Sequence, residues 1–230
     1  MINLTVDGAI RERWRGDSIL AICEMTVAAN ALVSERDFER EVHSLESELK
    51  ASGKQALQDA RVQQMRATFR AVPDMDPTRY RPSSEALLRR FIESGFFRIN
   101  PLVDVNNLLS ARLRIPLGIY DLGRLLPSPW IYRIGLDGET YQTFSGQPKN
   151  AAGKLVLADR DSILGGPVTD SGRASISPET THFAVVAYLP LDLSANDAEL
   201  VAREVEEAFM SHFHVDDSHR QIVPVTANHQ

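Results

Sequence analysis

The chain has 230 residues, 43% of them hydrophobic, and a formal net charge of −6. That length suits one large domain, and the charge argues against generic binding to nucleic acid, whose nonspecific affinity comes from neutralised phosphates. No stretch approaches the roughly 20 apolar residues of a membrane span, and the start MINLTVDGAIRERWRGD lacks the layout of a signal peptide. The single cysteine, Cys23, cannot make an internal disulfide or, alone, a structural zinc site. Its setting, SILAICEMTV, reads as that of a small buried hydrophobe. A cytoplasmic protein with no metal, cofactor, membrane or DNA partner is expected.

In chain order, a short strand is followed by a second over Ser18 to Val27 and then by helices. From Glu35, the residues Phe38, Val42, Leu45 and Leu49 recur at helical spacing, and Ser52-Gly53 ends the run. Leu57, Val62, Met65 and Phe69 mark a second helical face, and Pro73, Pro77 and Pro82 punctuate an irregular connector. The next helix should be capped by Ser83 or Ser84, carry Glu85 in its first turn and stop at Gly95, with Leu87, Leu88, Phe91 and Ile92 inward. After FFRINP, a helix puts Leu102, Val105, Leu109 and Leu113 on one face and Asp104 and Asn107 on the other, before Pro116.

Beyond Pro116 the period becomes strand-like. WIYRIGLDGETYQTF reads as a hairpin turning at Asp137-Gly138. Leu155 to Asp159 and His182 to Pro190 read as strands flanking the glycine-rich loop DSILGGPVTDSGR. A helix follows from about Asn196 to His212, with Val201, Val205, Ala208 and Phe209 inward, and the tail after Asp216 is expected to fray. The order indicates α+β architecture, helices packed on a mainly antiparallel sheet, in a single domain over 1–230. Within it, 1–78 holds the N-terminal strands and helices, 79–190 the core, and 191–230 the C-terminal helix and tail.

Charge is uneven. Arg79 to Arg124 holds eight arginines and four acids, whereas Ser194 to the end holds seven acids and two arginines. Two solvated faces account for this; an arginine-lined approach for an RNA end is the sharper alternative. In the glycine-rich loop, Asp170, Ser171 and Arg173 form the cluster best suited to ligand contact, since arginine reads a carboxylate or phosphate with a two-pronged hydrogen bond. Gly165 and Gly166 would let backbone amides come close to a ligand; the bland reading is a turn whose polar side chains cap its own amides. His212 and His214 fall on different faces of a helix end, which disfavours a metal pair, and His182 opens a strand with no proton-transfer role assigned.

Two stretches together resemble a known family. YRPSSEALLRRFIESGFFRINPLVDVNNLLSARLRIPLGIYDLGRL and GKLVLADRDSILGGPVTDSGRASISPETTHFAVVAYLP resemble the editing domain of the bacterial phenylalanyl-tRNA synthetase beta subunit, and especially its free-standing relatives. The likeness covers about the middle half of the chain. It implies a pocket between the Asn-Asn helix, the "PLGIYD" turn and the Gly-Gly loop, lined by Asn106, Asn107, Gly118, Tyr120, Gly165, Gly166 and Arg173. In the synthetases such a pocket hydrolyses tyrosine wrongly attached to tRNA, a second sieve where binding alone cannot reject a near-isostere. The implied partner is an aminoacyl-tRNA or its aminoacylated 3′ end, and an amino-acid-like small molecule also suits the pocket.

The sequence departs from that pattern at the positions that matter most. Gly118 stands where the family has a histidine, Val186 where it has a glutamate, and Asn106 where it has a threonine. Loss of both ionisable groups leaves no assigned catalytic residue and should make the pocket larger and less charged. The resemblance therefore implies either a trans-editing deacylase relying on loop amides and the substrate's ribose hydroxyl, or a non-catalytic module that binds the same ligands.

Overall fold

The computed structural model describes residues 1–226. Among them, six α-helices and ten strands run in the order β1 Leu4–Val6, α1 Gly8–Arg11, β2 Ser18–Val27, α2 Glu35–Ser52, α3 Ala60–Arg70, α4 Ser83–Ser94 and α5 Pro101–Leu113. Then come β3 Leu117–Asp121, β4 Trp130–Ile134, β5 Thr140–Gln142, β6 Pro148–Asn150, β7 Leu155–Ala158, β8 Ile163–Gly165, β9 His182–Tyr188, α6 Ala195–His212 and β10 Val215–Pro224. The architecture is α+β, with β1 and β4 parallel and every other strand pairing antiparallel.

The strands form two four-stranded sheets, ordered β10-β2-β9-β3 and β1-β4-β7-β8, and a β5-β6 ribbon. Alternation along β2, β9 and β3 assigns their two faces to different cores. Ala21, Cys23, Met25, Phe183, Val185, Leu117 and Ile119 pack with α2, α4, α5 and α6. Leu20, Ile22, Ala184, Val186, Tyr188 and Tyr120 pack with Trp130, Tyr132, Leu155, Leu157 and Leu164 of the second sheet. The first sheet is thus the middle of three layers, which is why β2 reads as an almost unbroken apolar run rather than an alternating one. Cys23 lies in the helix-facing core, where burial pushes its thiol up to about 12 and removes it as a nucleophile.

The helices follow from their sequences. Ser34 accepts from the Asp37 amide to start α2, and Gly53, at φ +52°, ends it. Phe38, Val42, Leu45 and Leu49 are its buried stripe and meet α4 and α5 residues in one core. Gly95, at φ +81°, ends α4 as expected. Neither Ser83 nor Ser84 caps that helix, however: Pro82 holds the cap position, and Ser84 is buried with its hydroxyl donated to the Arg114 carbonyl. Glu85, also buried, gathers Arg66 at 2.7 and 2.8 Å and Arg89 at 2.9 and 3.0 Å.

Two further expectations fail for clear physical reasons. Asp137-Gly138 does turn, but its arms do not pair with each other. Both edges of β4 are taken, by β1 and β7, so Thr140–Gln142 pairs with β6 instead. The segment after Asp216 is not frayed: β10 pairs with β2 from Val215 to Pro224. It is an edge strand with one face to solvent, and its polar run VDDSHRQ is what such edges carry to discourage further pairing. Residues 227–230 of that predicted tail lie outside the described residues.

Candidate functional site at the free edge of strand β3

β3 ends the middle sheet, hydrogen-bonded to β9 alone, so one row of its backbone groups faces outward. Two segments 50 residues and more apart in sequence converge on that row. From α5, the Asn106 amide donates to the Leu117 carbonyl at 3.3 Å. From the loop after β8, Asp170 receives the backbone amide of Ile119. The Asn-Asn helix and the Gly-Gly loop are therefore held together by backbone groups only two residues apart on one strand.

Asp170 retains some exposed surface, but its carboxyl turns inward. Tyr120, fully buried, donates to Asp170 Oδ1 at 2.6 Å, and the Tyr188 hydroxyl lies 2.6 Å from the Tyr120 hydroxyl. With Tyr120 committed to the carboxylate, Tyr188 is the donor of the second bond. The Gly166 amide donates to the same carboxyl. Burial raises Asp170 from the ordinary 3.8 to about 7, against the lowering effect of these donors. Burial also raises both tyrosines well above their usual value, so neither is a source of phenolate.

The glycines serve this knot. A Cβ on Gly118 would lie 2.8 Å from the Tyr120 ring carbon that bears the hydroxyl, and a Cβ on Gly165 would lie 2.6 Å from the hydroxyl itself. A Cβ on Gly166 would meet the Leu155 carbonyl at 2.6 Å. Gly118 sits directly opposite Val186 in the β3–β9 ladder. The expected enlargement beside Gly118 is not found, because Tyr120 lies over the glycine and fills that space.

Arg173 is committed to a protein partner. Its guanidinium takes both oxygens of buried Asp159 in a two-pronged pair, and Asp159 Oδ1 also accepts from the amides of Asp161 and Ser162. Asn107 is half-buried on α5, and Ser171 is buried. Two enclosed polar atoms lack any hydrogen-bond partner here: Asn106 Oδ1 and Ser171 Oγ. Elsewhere, Asp121 accepts from the Gly123 amide and the Thr180 hydroxyl, and Asp104 from Arg98 and the Ile99 amide, so both tie turns together.

A family model covers these elements. The B3/4 domain matches residues 66–209, which span α3 to α6 and contain every segment that meets at β3. The chain belongs to the B3/4 domain family. Its kinship with the phenylalanyl-tRNA synthetase beta-subunit type of domain is what the Asn-Asn helix and Gly-Gly loop had indicated. One solved structure to which the chain is similar is an N-terminal fragment of the phenylalanyl-tRNA synthetase beta subunit from Pyrococcus horikoshii, at 11% identity and a TM-score of 0.45. The match covers 96% of this chain and 54% of that one, so the chain spans about half the fragment's length. No curated protein gives a sequence match.

Within this B3/4 domain, sequence reasoning missed which residues engage one another at the site. Tyr188 and Asp159 belong to the family-like stretches, but nothing local marks a hydroxyl 68 residues from Tyr120 or a carboxylate 14 residues from Arg173 as its partner. Tyr141 of the β5-β6 ribbon, which donates to the Thr169 carbonyl and so braces the loop, came from the misread hairpin. The arginine-rich span is likewise used internally. Arg81, Arg89, Arg98, Arg112 and Arg114 all pair with protein carboxylates, three of them reaching α2. Arg173→Ala is accordingly expected to leave Asp159 buried without its cation and to lower stability by about 3 kcal/mol, the usual result of breaking a buried pair. Chemical denaturation measures this; an unchanged midpoint would show that the pair is not structural.

Proposed function

We propose that this B3/4 domain binds an amino-acid moiety, as the free molecule or on the aminoacylated 3′ end of a tRNA, at the free edge of β3, and does not hydrolyse it. One observation carries the reading. The two segments that reach β3 keep unfilled hydrogen-bonding capacity, at Asn106 Oδ1 on α5 and Ser171 Oγ in the Gly-Gly loop, whereas Asp170, Tyr120 and Arg173 are each engaged by another protein group. Buried polar atoms are nearly always satisfied, so orphans in the two segments that converge on β3 point to a missing partner. Hydrolysis of an activated ester needs a placed water and a group to take its proton. With Gly118 facing Val186, the site offers no free base at the positions where the synthetase-type pattern has histidine and glutamate.

A deacylase acting on mischarged tRNA is the second reading, and Asp170 is the observation that favours it. A carboxyl held near 7 is matched to proton transfer at neutral pH. It would have to exchange Tyr120 for a water before acting.

The test is calorimetric titration with a panel of 3′-aminoacylamino-adenosines, whose amide link resists hydrolysis. At least one is expected to bind. Ser171→Ala, which removes no protein hydrogen bond, should leave the melting temperature unchanged while weakening that analogue several-fold, as loss of one hydrogen bond of about 1 kcal/mol would. Equal affinity in the variant would place the ligand elsewhere.

A further inference from the structure

A cleft of about 420 Å³ opens at the end of the inter-sheet core, where β2 and β9 meet the segment after β3. That volume is in the range of small-molecule sites. Trp130, Leu125 and Leu126 supply its apolar wall, and Leu126 is 74% exposed, a costly placement for leucine if nothing covers it. Its polar wall is a pair drawn from two neighbouring strands: Glu24 Oε1 lies 3.2 Å from His182 Nε2.

Among the described residues, the second oxygen of Glu24 is held only by the Met1 ammonium. This Oε2 is enclosed yet receives no aligned hydrogen bond, and the ammonium lies 3.1 Å from it as an ion contact. Met1 itself is 77% exposed, so little apolar packing holds it there. Burial raises the Glu24 pKa, but the ammonium and His182 outweigh this and hold the carboxyl below its usual value, so it is charged at neutral pH. Among the described residues that line the cleft there is no lysine or arginine. The cation that does line it, the Met1 ammonium, is already paired with Glu24, so an entering ammonium can exchange with it, whereas an entering carboxylate would lose its water and find no cation that is not already paired.

We propose that this cleft binds a small molecule with a primary ammonium on an apolar body and no free carboxylate, the ammonium replacing that of Met1 at Glu24 and the body lying against Trp130, Leu125 and Leu126. The inference does not rest on the β3-edge reading, since the two sites share no residue.

Calorimetric titration of the full chain with three probes tests it: leucinamide, leucine and N-acetylleucinamide. Leucinamide should saturate, leucine should bind at least tenfold more weakly, and the acetylated amide should not bind. Glu24→Gln should weaken leucinamide at least tenfold. Leu126→Arg should do the same by placing a cation at the mouth, and because that side chain is exposed the fold is kept even if Glu24→Gln misfolds. Ser171→Ala should leave leucinamide binding unchanged, which separates this cleft from the β3 edge. The proposal is overturned if leucinamide fails to bind at millimolar concentration, if the acetylated amide binds equally, if Leu126→Arg keeps full affinity, or if Ser171→Ala abolishes binding.

Discussion

Gly118→His, which restores the histidine of the synthetase-type pattern, is expected to destabilise the protein by about 3 kcal/mol or more. The new Cβ alone would sit 2.8 Å and 3.0 Å from Tyr120 ring atoms, and Tyr120 cannot swing clear because it is fully buried and its hydroxyl is fixed by Asp170 and Tyr188. Relief requires breaking those buried hydrogen bonds as well as repacking. For a chain of this size the loss corresponds to a fall in melting temperature of roughly 6–12 °C. Adding Tyr120→Ala should make the pair less damaging than the sum of the single changes, because the alanine vacates the space the histidine needs. A Gly118→His protein that melts within 2 °C of the parent would show that Tyr120 does not occupy the histidine's place.

The second large effect is on the pH dependence of stability. Asp170 has its folded pKa raised from 3.8 to about 7, so between those values the folded state holds a proton that the unfolded chain has released. Stability must then fall as pH rises through that window and level off above it. A shift of about three units corresponds to at most about 4 kcal/mol. Glu139, held below its usual value by its Arg133 hydrogen bonds against a smaller effect of burial, acts with the opposite sign, and its contribution is lost as pH falls below the ordinary glutamate range. Asp170→Asn removes the first effect and leaves the second. Denaturation of parent and variant from pH 4 to pH 8 should show a downward slope in the parent that is missing in Asp170→Asn. The variant will be weaker at low pH, where its amide competes with the donors from Gly166 and Ile119. Its curve should not fall with pH and should instead rise as Glu139 and His212, the latter held below its usual value by burial, lose their protons. Parallel curves would mean that the carboxyl titrates as if exposed.

The parts of this fold that could be read from the sequence are those set by local spacing. Phe38, Val42, Leu45 and Leu49 declare α2, Gly53 and Gly95 declare helix ends, and the apolar runs of β2 and β9 declare buried strands. β10 could not be read in this way, because an edge strand is stabilised by a partner, here β2, and its own residues are polar. The hairpin misreading has the same origin: a turn dipeptide predicts a reversal, while pairing depends on which strand edges remain free. At the site, the residue types were legible and their commitments were not. Arg173 looks available until Asp159 is seen to hold it, and Glu24 and His182 become neighbours only across a ladder between strands 158 residues apart.

The most direct test of a binding rather than hydrolytic domain is a deacylation screen with purified protein over a panel of mischarged tRNAs. Engagement of Asp170 by Tyr120 and of Arg173 by Asp159, with Gly118 opposite Val186, predicts no turnover above the spontaneous rate for any of them, alongside measurable binding of an aminoacyl-adenosine analogue. Multiple-turnover hydrolysis of even one mischarged tRNA, abolished by Asp170→Asn, would contradict this and make Asp170 the base of an active deacylase.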